Sequence, residues 1–275
     1  MFLPLTGDDG LSYEYRAPES ADGFTFVCFN PLTGDKAMWE GGIGPALTEQ
    51  GHGLLTWNLR GQADSPFTAG EITPGNVVAD ALALLQTVQP QNPVYVGLSV
   101  GGLFAAKLHL GDFGEGGGDA WPCRGFVFIN TLREIGPRLA WVNAALVRLA
   151  ETGGLDLLRD AYSPLLLGEG WQAENRENFL KPGSYEPLSE ADGAWHLLKA
   201  GEETVWDVDW SRLTVPVLNI TGLQDQIFRD DAVIERLLAD FQDVQAVAYD
   251  DAGHMVPAET PERLAGDLLK FVAGL

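Results

Sequence analysis

Asn92 to Leu108 reads NPVYVGLSVGGLFAAKL. Residues 93–98 have the branched and aromatic character of a strand, and 100–110 have helical spacing. Ser99 stands at the junction, with Gly97 two residues before it and Gly101 and Gly102 just after it. A strand that turns straight into a helix leaves no room for large side chains beside the bend, so glycine suits those positions. The bend is either a tight turn that happens to carry serine or a device that presents the serine hydroxyl. The pattern Gly-x-Ser-x-Gly does not decide this alone, since chance yields roughly 0.1 matches per chain of this composition. The context adds more: the hydroxyl would leave the carboxyl edge of a sheet. The N–H groups and positive dipole end of the following helix would stand beside it.

Outward from this junction the same alternation repeats. FTFVCFN (24–30), GLLTWN (53–58), PVYVGL (93–98), GFVFIN (125–130), VPVLNI (215–220) and VQAVAY (244–249) are apolar runs of strand length. Their hydrophobicity is continuous rather than alternating, which predicts parallel strands covered on both faces. Helical stretches are expected near 36–50, 75–89, 100–110, 229–241 and 260–273, the last opened by Thr260 and Pro261. The prediction is an α/β fold with a mostly parallel, doubly wound sheet and right-handed crossovers. Two regions break the rhythm. Residues 111–124, GDFGEGGGDAWPCR, lack the ending of a phosphate-binding loop and the spacing of a calcium loop, and read as a mobile surface loop. Residues 133–210 contain no strand-like run but have amphipathic helical text and Trp141, Trp171, Trp195 and Trp206. The expected organisation is therefore a core in two parts, 1–132 and 211–275, with a helical lid inserted at 133–210. Its tryptophans read first as that segment's own core and second as the lining of an apolar pocket.

A serine hydroxyl needs a base to attack a carbonyl, and the base needs an orienting carboxylate. Of four histidines, His52 lies in a turn before a strand and reads as structural. His109 closes the helix that begins at Ser99 and is expected to complement its C-terminal dipole. His196 falls in the inserted segment. His254, in YDDAGHMVP after the last strand, shares the carboxyl edge with Ser99 and is the candidate base. Asp225, in the loop after VPVLNI, is the candidate carboxylate, with Asp230 and Asp231 as alternatives, and yields the chain order Ser, Asp, His. Two donors must converge on a developing oxyanion. Val100 N–H follows the serine directly. In the loop Asn30-Pro31-Leu32-Thr33, Pro31 has no N–H, so Leu32 is the nearest usable donor.

Composition narrows the possibilities. The chain has 275 residues and 45% hydrophobic content, with 17 Lys and Arg against 39 Asp and Glu for a formal charge of −22. Such a surface repels nucleic-acid phosphates and anionic lipid, so neither is an expected partner. Of the two cysteines, Cys28 and Cys123, Cys28 lies in an apolar strand and is expected as a small core residue rather than half of a disulfide, and MFLPLTGDDG carries no signal-peptide pattern. No stretch approaches the ~20 apolar residues of a membrane span, and a cytoplasmic location is expected.

FVCFNPLTGDKAMW, TWNLRGQADS, VGLSVGG, VPVLNITGLQD and DAGHMVPAETPERLAGDLLKF together resemble the α/β-hydrolase family. Within it, Asn30-Pro31-Leu32 with Met38-Trp39 and the Gly97–Gly102 elbow are most similar to β-ketoadipate enol-lactonases and related esterases. The resemblance implies Ser99, Asp225 and His254 as a catalytic triad, with Leu32 and Val100 as the oxyanion hole. Asn30-Pro31 stands where many members have His-Gly, and Asn58 and Ala63 depart from the usual Asp-x-Arg-Gly-x-Gly-x-Ser. Serine rather than aspartate at 99 sets the chain apart from the dehalogenase and epoxide-hydrolase branches. The expected function is hydrolysis of a small carboxylic ester or lactone through an acyl-enzyme, with no metal or organic cofactor. Carbon–carbon or amide hydrolysis, or ligand binding without catalysis, are the alternatives. Trp39, Arg133 and Trp141 are candidate substrate contacts. Arg133, just after GFVFIN, suits a substrate carboxylate, although a solvated surface position is the reading its sequence context favours.

Overall fold

The computed structural model describes residues 1–5, 7–68, 70–113 and 117–275. Its eight strands are β1 (Phe2–Pro4), β2 (Gly10–Arg16), β3 (Thr25–Phe29), β4 (Gly53–Trp57), β5 (Pro93–Leu98), β6 (Gly125–Ile129), β7 (Val217–Gly222) and β8 (Val244–Tyr249). They lie side by side in the order β1-β2-β4-β3-β5-β6-β7-β8. From β4 to β8 every pairing is parallel, whereas β1 with β2 and β2 with β4 are antiparallel. β5, which leads to Ser99, therefore sits near the middle, flanked by β3 and β6 in register Gly97 to Phe29 and Leu98 to Ile129. That placement puts the carboxyl ends of four adjacent strands around one point.

The continuous apolar strands β3 to β7 bury both faces, as their sequence predicts. Val27, Phe29, Tyr95, Phe126 and Phe128 join the core on one face. Phe26, Cys28, Val94, Val96, Val127 and Ile129 join the core on the other. The helices are α1 (Ala37–Gly41), α2 (Gly44–Glu49), α3 (Pro74–Val88), α4 (Val100–Leu110), α5 (Pro137–Leu166), α6 (Glu169–Glu174), α7 (Gly193–Glu203), α8 (Asp231–Leu238), α9 (Val256–Glu259) and α10 (Pro261–Val272). α3, α4 and α8 contribute to the first core, and α1, α2 and α10 to the second. Fully burying one such aliphatic or aromatic side chain is worth about 1.5–3 kcal/mol, so the two sandwiched faces are the main source of stability.

Several elements differ from the sequence-based expectation. β1 and β2 are additional: β2 alternates, with its outward residues half or fully exposed, so it lacks the unbroken apolar run of the parallel strands. The helix expected over 36–50 is two short ones, α1 and α2, separated at Gly42 and Ile43. β8 is the edge strand and is largely uncovered, unlike the doubly buried strands beside it. The glycine-rich stretch 111–124 falls partly, at 114–116, outside the described residues. Between β6 and β7 the described chain is helical, with α5 and α7 enclosing a separate small core of Val147, Ala150, Leu158 and Leu198. α5 is bent at Gly153 and Gly154, whose backbones leave helical geometry, Gly154 at φ 73°. A side chain at Gly154 would lie 2.1 Å from the Glu186 carbonyl oxygen, so the close approach requires glycine. Among the described residues no helix is long and apolar enough to cross a membrane.

Candidate active site

Ser99 adopts φ 57° and ψ −126°, a backbone conformation costing a non-glycine residue on the order of 1–3 kcal/mol. The surroundings hold it there. Ser99 N–H donates to the Ile129 carbonyl at 2.9 Å, while its carbonyl accepts from Gly102 N–H at 3.2 Å and Thr131 Oγ1 at 3.0 Å. Space explains the neighbouring glycines. A Cβ at Gly97 would stand 2.3 Å from Gly102 Cα, one at Gly101 2.3 Å from the Phe29 carbonyl oxygen, and one at Gly102 2.2 Å from Thr131 Oγ1. Strand β5 and helix α4 thus close on each other with only backbone between them, and the serine is thrust outward at the strand end.

His254 lies in the turn between β8 and α9, and Asp225 in the loop after β7. Their side chains are 6% and 1% exposed, and His254 Nδ1 is 2.6 Å from Asp225 Oδ2. The other Asp225 oxygen accepts the N–H groups of Ile227 and Phe228 at 2.9 Å each. Burial pushes the Asp225 carboxyl up, but the adjacent His254 and these backbone donors outweigh it and hold it below the usual carboxylate range. An ionised Asp225 only accepts hydrogen bonds, so Nδ1 carries the proton in this contact. Three further groups fix the histidine's loop. Asn130, at φ 48°, donates from Nδ2 to the carbonyls of Gly253 at 3.0 Å and His254 at 2.9 Å, and accepts Gly222 N–H at 2.8 Å. Glu259 accepts from Gly253, Met255 and Gly168 N–H groups at 2.8, 2.8 and 2.6 Å. His254 N–H donates to the Leu166 carbonyl at 2.5 Å, the end of α5.

Ser99 and His254 open onto one cavity of about 110 Å³, walled by the Pro31–Thr33 loop and by Ile135, Leu146, Leu158, Leu198, Trp206 and Phe228. Leu32 and Val100 line it as well. Arg133 is also in this wall, and its position corrects the surface reading: the residue is 5% exposed. Its Nη2 donates to Ser99 Oγ at 2.9 Å and to the Asn130 carbonyl at 2.7 Å. The guanidinium lies 4.6 Å from the Trp206 ring centre and 4.5 Å from that of Phe228. Burial pulls its pKa down to about 10, opposed by the Asp225 charge, so it remains cationic at neutral pH.

The two other candidate substrate contacts are elsewhere. Trp39 is fully buried behind the Asn30 turn, donating from Nε1 to Asn30 Oδ1 at 2.7 Å, and does not line the cavity. Trp141 is 79% exposed on the outer side of α5 and does not line it either. His109 is a further correction: burial lowers its pKa and its Nδ1 accepts the Cys123 N–H at 3.3 Å, so it is a neutral packing residue rather than a cation on the dipole. His52 accepts Phe24 N–H at 3.3 Å, and the His196 ring centre lies 4.7 Å from that of Phe67. The sequence alone gives Gln62, Asn130 and Glu259 no role at the site. Asn130 and Glu259 flank the site in sequence, each near a carboxyl-edge loop, and that proximity was the available signal.

Comparison with known proteins agrees with this architecture. The sequence profile for the alpha/beta hydrolase fold matches residues 25–261. The chain is 24% identical over 223 residues to 3-oxoadipate enol-lactonase 2 of Acinetobacter baylyi, covering 81% of this chain and 79% of that one. Among solved structures, the enol-lactonase of Burkholderia xenovorans superimposes with a TM-score of 0.78 at 20% identity, covering 99% of this chain and 100% of the other. A thermophilic esterase of Thermogutta terrifontis superimposes with a TM-score of 0.76, also at 20% identity, covering 99% and 96%. With a matched profile spanning the sheet from β3 to the start of α10, the chain belongs to the alpha/beta hydrolase fold family.

Proposed function

We propose that the protein is a serine hydrolase that cleaves a small carboxylic ester or lactone through an acyl-enzyme on Ser99. The observation that carries this reading is His254, paired with buried Asp225 at 2.6 Å and facing the same cavity as a serine held at φ 57°. Ser99 Oγ accepts a hydrogen bond from Arg133, which leaves its own proton free for a base. In the first half-reaction the Oγ–carbonyl carbon bond forms as Nε2 of His254 takes the hydroxyl proton, and Asp225 steadies the imidazolium. The oxyanion turns towards the N–H groups of Leu32 and Val100. Collapse expels the alcohol oxygen, which takes the proton from His254. Water then repeats the sequence, releasing the acid and restoring Ser99.

Residues 133–210 serve as a lid in this reading, because α5 and α7 supply the apolar wall opposite Ser99. Arg133 is the anchor for a carboxylate on the substrate, since among the described residues it makes no ion pair with an acidic side chain. The enol-lactonase relatives support a lactone carrying such a group. Free, buried Cys28 and Cys123 fit a reducing, cytoplasmic setting. Turnover of p-nitrophenyl acetate by wild type and Ser99→Ala tests the proposal, together with mass-spectrometric mapping of a fluorophosphonate label. Loss of activity in the variant and label on Ser99 are expected. Unchanged activity in Ser99→Ala overturns the mechanism, and no turnover across an ester and lactone panel overturns the function.

A further inference from the structure

We propose that Gln62 is a positioning residue that aims the Leu32 N–H into the oxyanion hole. The inference rests on the serine-hydrolase reading above. Gln62 is 4% exposed in the loop after β4, wound by positive φ at Gly61 and Ala63. Its Nε2 donates to the Pro31 carbonyl at 2.8 Å and to the Leu32 carbonyl at 2.9 Å. Its Oε1 accepts Asn30 Nδ2 at 2.8 Å and Leu59 N–H at 3.1 Å. The orientation of this amide is forced. A backbone N–H such as that of Leu59 can only donate, and the two carbonyls can only accept, so oxygen and nitrogen cannot exchange places.

The consequence lies in one peptide plane. Among the described residues there is no cis peptide bond, so the Pro31 carbonyl and the Leu32 N–H point in opposite directions from the same plane. Gripping the carbonyl from behind turns the N–H towards the cavity that Leu32 shares with Ser99 and Val100. Among the described residues that N–H donates to nothing, which suits a group kept for a ligand. The grip is itself backed by rigid groups: Asn30 also donates to the Trp57 carbonyl at 2.9 Å and accepts Trp39 Nε1 at 2.7 Å. Trp39 thus acts on the site from behind, through Asn30 and Gln62, rather than by touching substrate.

Gln62→Glu is the informative variant, since it keeps the oxygen that Asn30 and Leu59 use and removes both donors to the loop. Gln62→Ala is a second variant that introduces no charge. For each, kcat and KM on a neutral p-nitrophenyl ester would be measured. Inhibition by a trifluoromethyl ketone, whose adduct carries the oxyanion, and melting temperature would be read alongside. Enzyme concentration would come from fluorophosphonate titration. The expected result is a kcat lowered at least about tenfold, towards the ~10²-fold scale of losing one oxyanion donor. KM should stay within about twofold, with ketone inhibition weakened by the same factor as kcat. A lowered melting temperature with kcat and ketone inhibition unchanged in both variants overturns the inference, showing Gln62 to be structural. Ser99→Ala run in parallel separates the two levels. If it keeps full activity, the hydrolase mechanism falls and this role with it. If it is inactive while both Gln62 variants behave as wild type, only the role of Gln62 falls.

Discussion

Replacing Gly101 by alanine would set a methyl carbon 2.3 Å from the Phe29 carbonyl oxygen and 2.7 Å from that of Asn30. Both obstacles are backbone, at the end of β3. That strand cannot retreat, because it is bonded to β4 on one side and β5 on the other. Asn30 beyond it is fully buried and held by Trp39, Trp57 and Gln62. The start of α4 must therefore move, by roughly 1 Å, to reach ordinary contact distance. α4 carries Val100 and the opposing loop carries Leu32, so this motion widens the gap between the two proposed oxyanion donors. A misplacement of about 1 Å costs on the order of 10²-fold in rate when geometry is the catalytic asset. Overpacking at a backbone contact adds about 1–3 kcal/mol of instability. The assay is kcat on a p-nitrophenyl ester well below the melting temperature, normalised by active-site titration. A variant with kcat within threefold of wild type and an unchanged melting temperature would refute the reasoning.

Three other outcomes are expected. Asp225→Asn should lower kcat by roughly 10³–10⁴-fold through a misdirected imidazole. Because the folded Asp225 carboxyl lies below its unfolded value near ~3.9, its stabilising contribution is present above that pH and lost as pH falls through the folded value. Urea unfolding should thus show wild type more stable than the variant at pH 7, by about 2 kcal/mol, with the gap closing below about pH 3.9. Arg133→Met should lower kcat/KM for a carboxylate-bearing ester about 10- to 100-fold relative to a neutral ester of equal size, which a paired-substrate comparison reads. Trp141→Ala, on an exposed face, should leave KM unchanged and stability within ~0.5 kcal/mol by thermal melt.

Five of the six parallel strands, β3 to β7, were legible because doubly buried strands need an unbroken apolar run; β8 has the run but lies uncovered at the edge. β2 was not, since Ser12, Glu14 and Arg16 interrupt its pattern where only one side faces the core. Ser99, Asp225 and His254 were proposed from chain order and edge placement, which depend on topology rather than on exact contacts; the structure pairs His254 with Asp225 and sets Ser99 on the same cavity as His254. Arg133 was misjudged because a lone arginine after a strand is usually solvated. What buries it is a sandwich of Trp206 and Phe228, residues 73 and 95 positions away that no local pattern connects to it. Trp39 and Trp141 show the converse failure. Helical spacing says nothing about which side of a layer a tryptophan meets. Gln62 bonds backbone groups of the Pro31–Leu32 loop and the Asn30 side chain, and Glu259 bonds backbone N–H groups, contacts that carry no residue-type signature.

The end of α5 has a practical meaning for anyone wishing to exchange the helical segment between β6 and β7. The Leu166 carbonyl receives His254 N–H, the Leu165 carbonyl receives Gln226 N–H at 2.8 Å, and Gly168 N–H reaches Glu259. Moving the helix by a single residue would rotate those carbonyls by about 100° and shift them about 1.5 Å, off both loops at once. A helical segment transplanted from a relative must therefore keep 155–168 in register, whatever its sequence. The bend at Gly153–Gly154 offers the natural splice point: the half-helix before it can be exchanged if Val147 and Ala150 are kept against Leu158 and Leu198, while the half after it travels with the core.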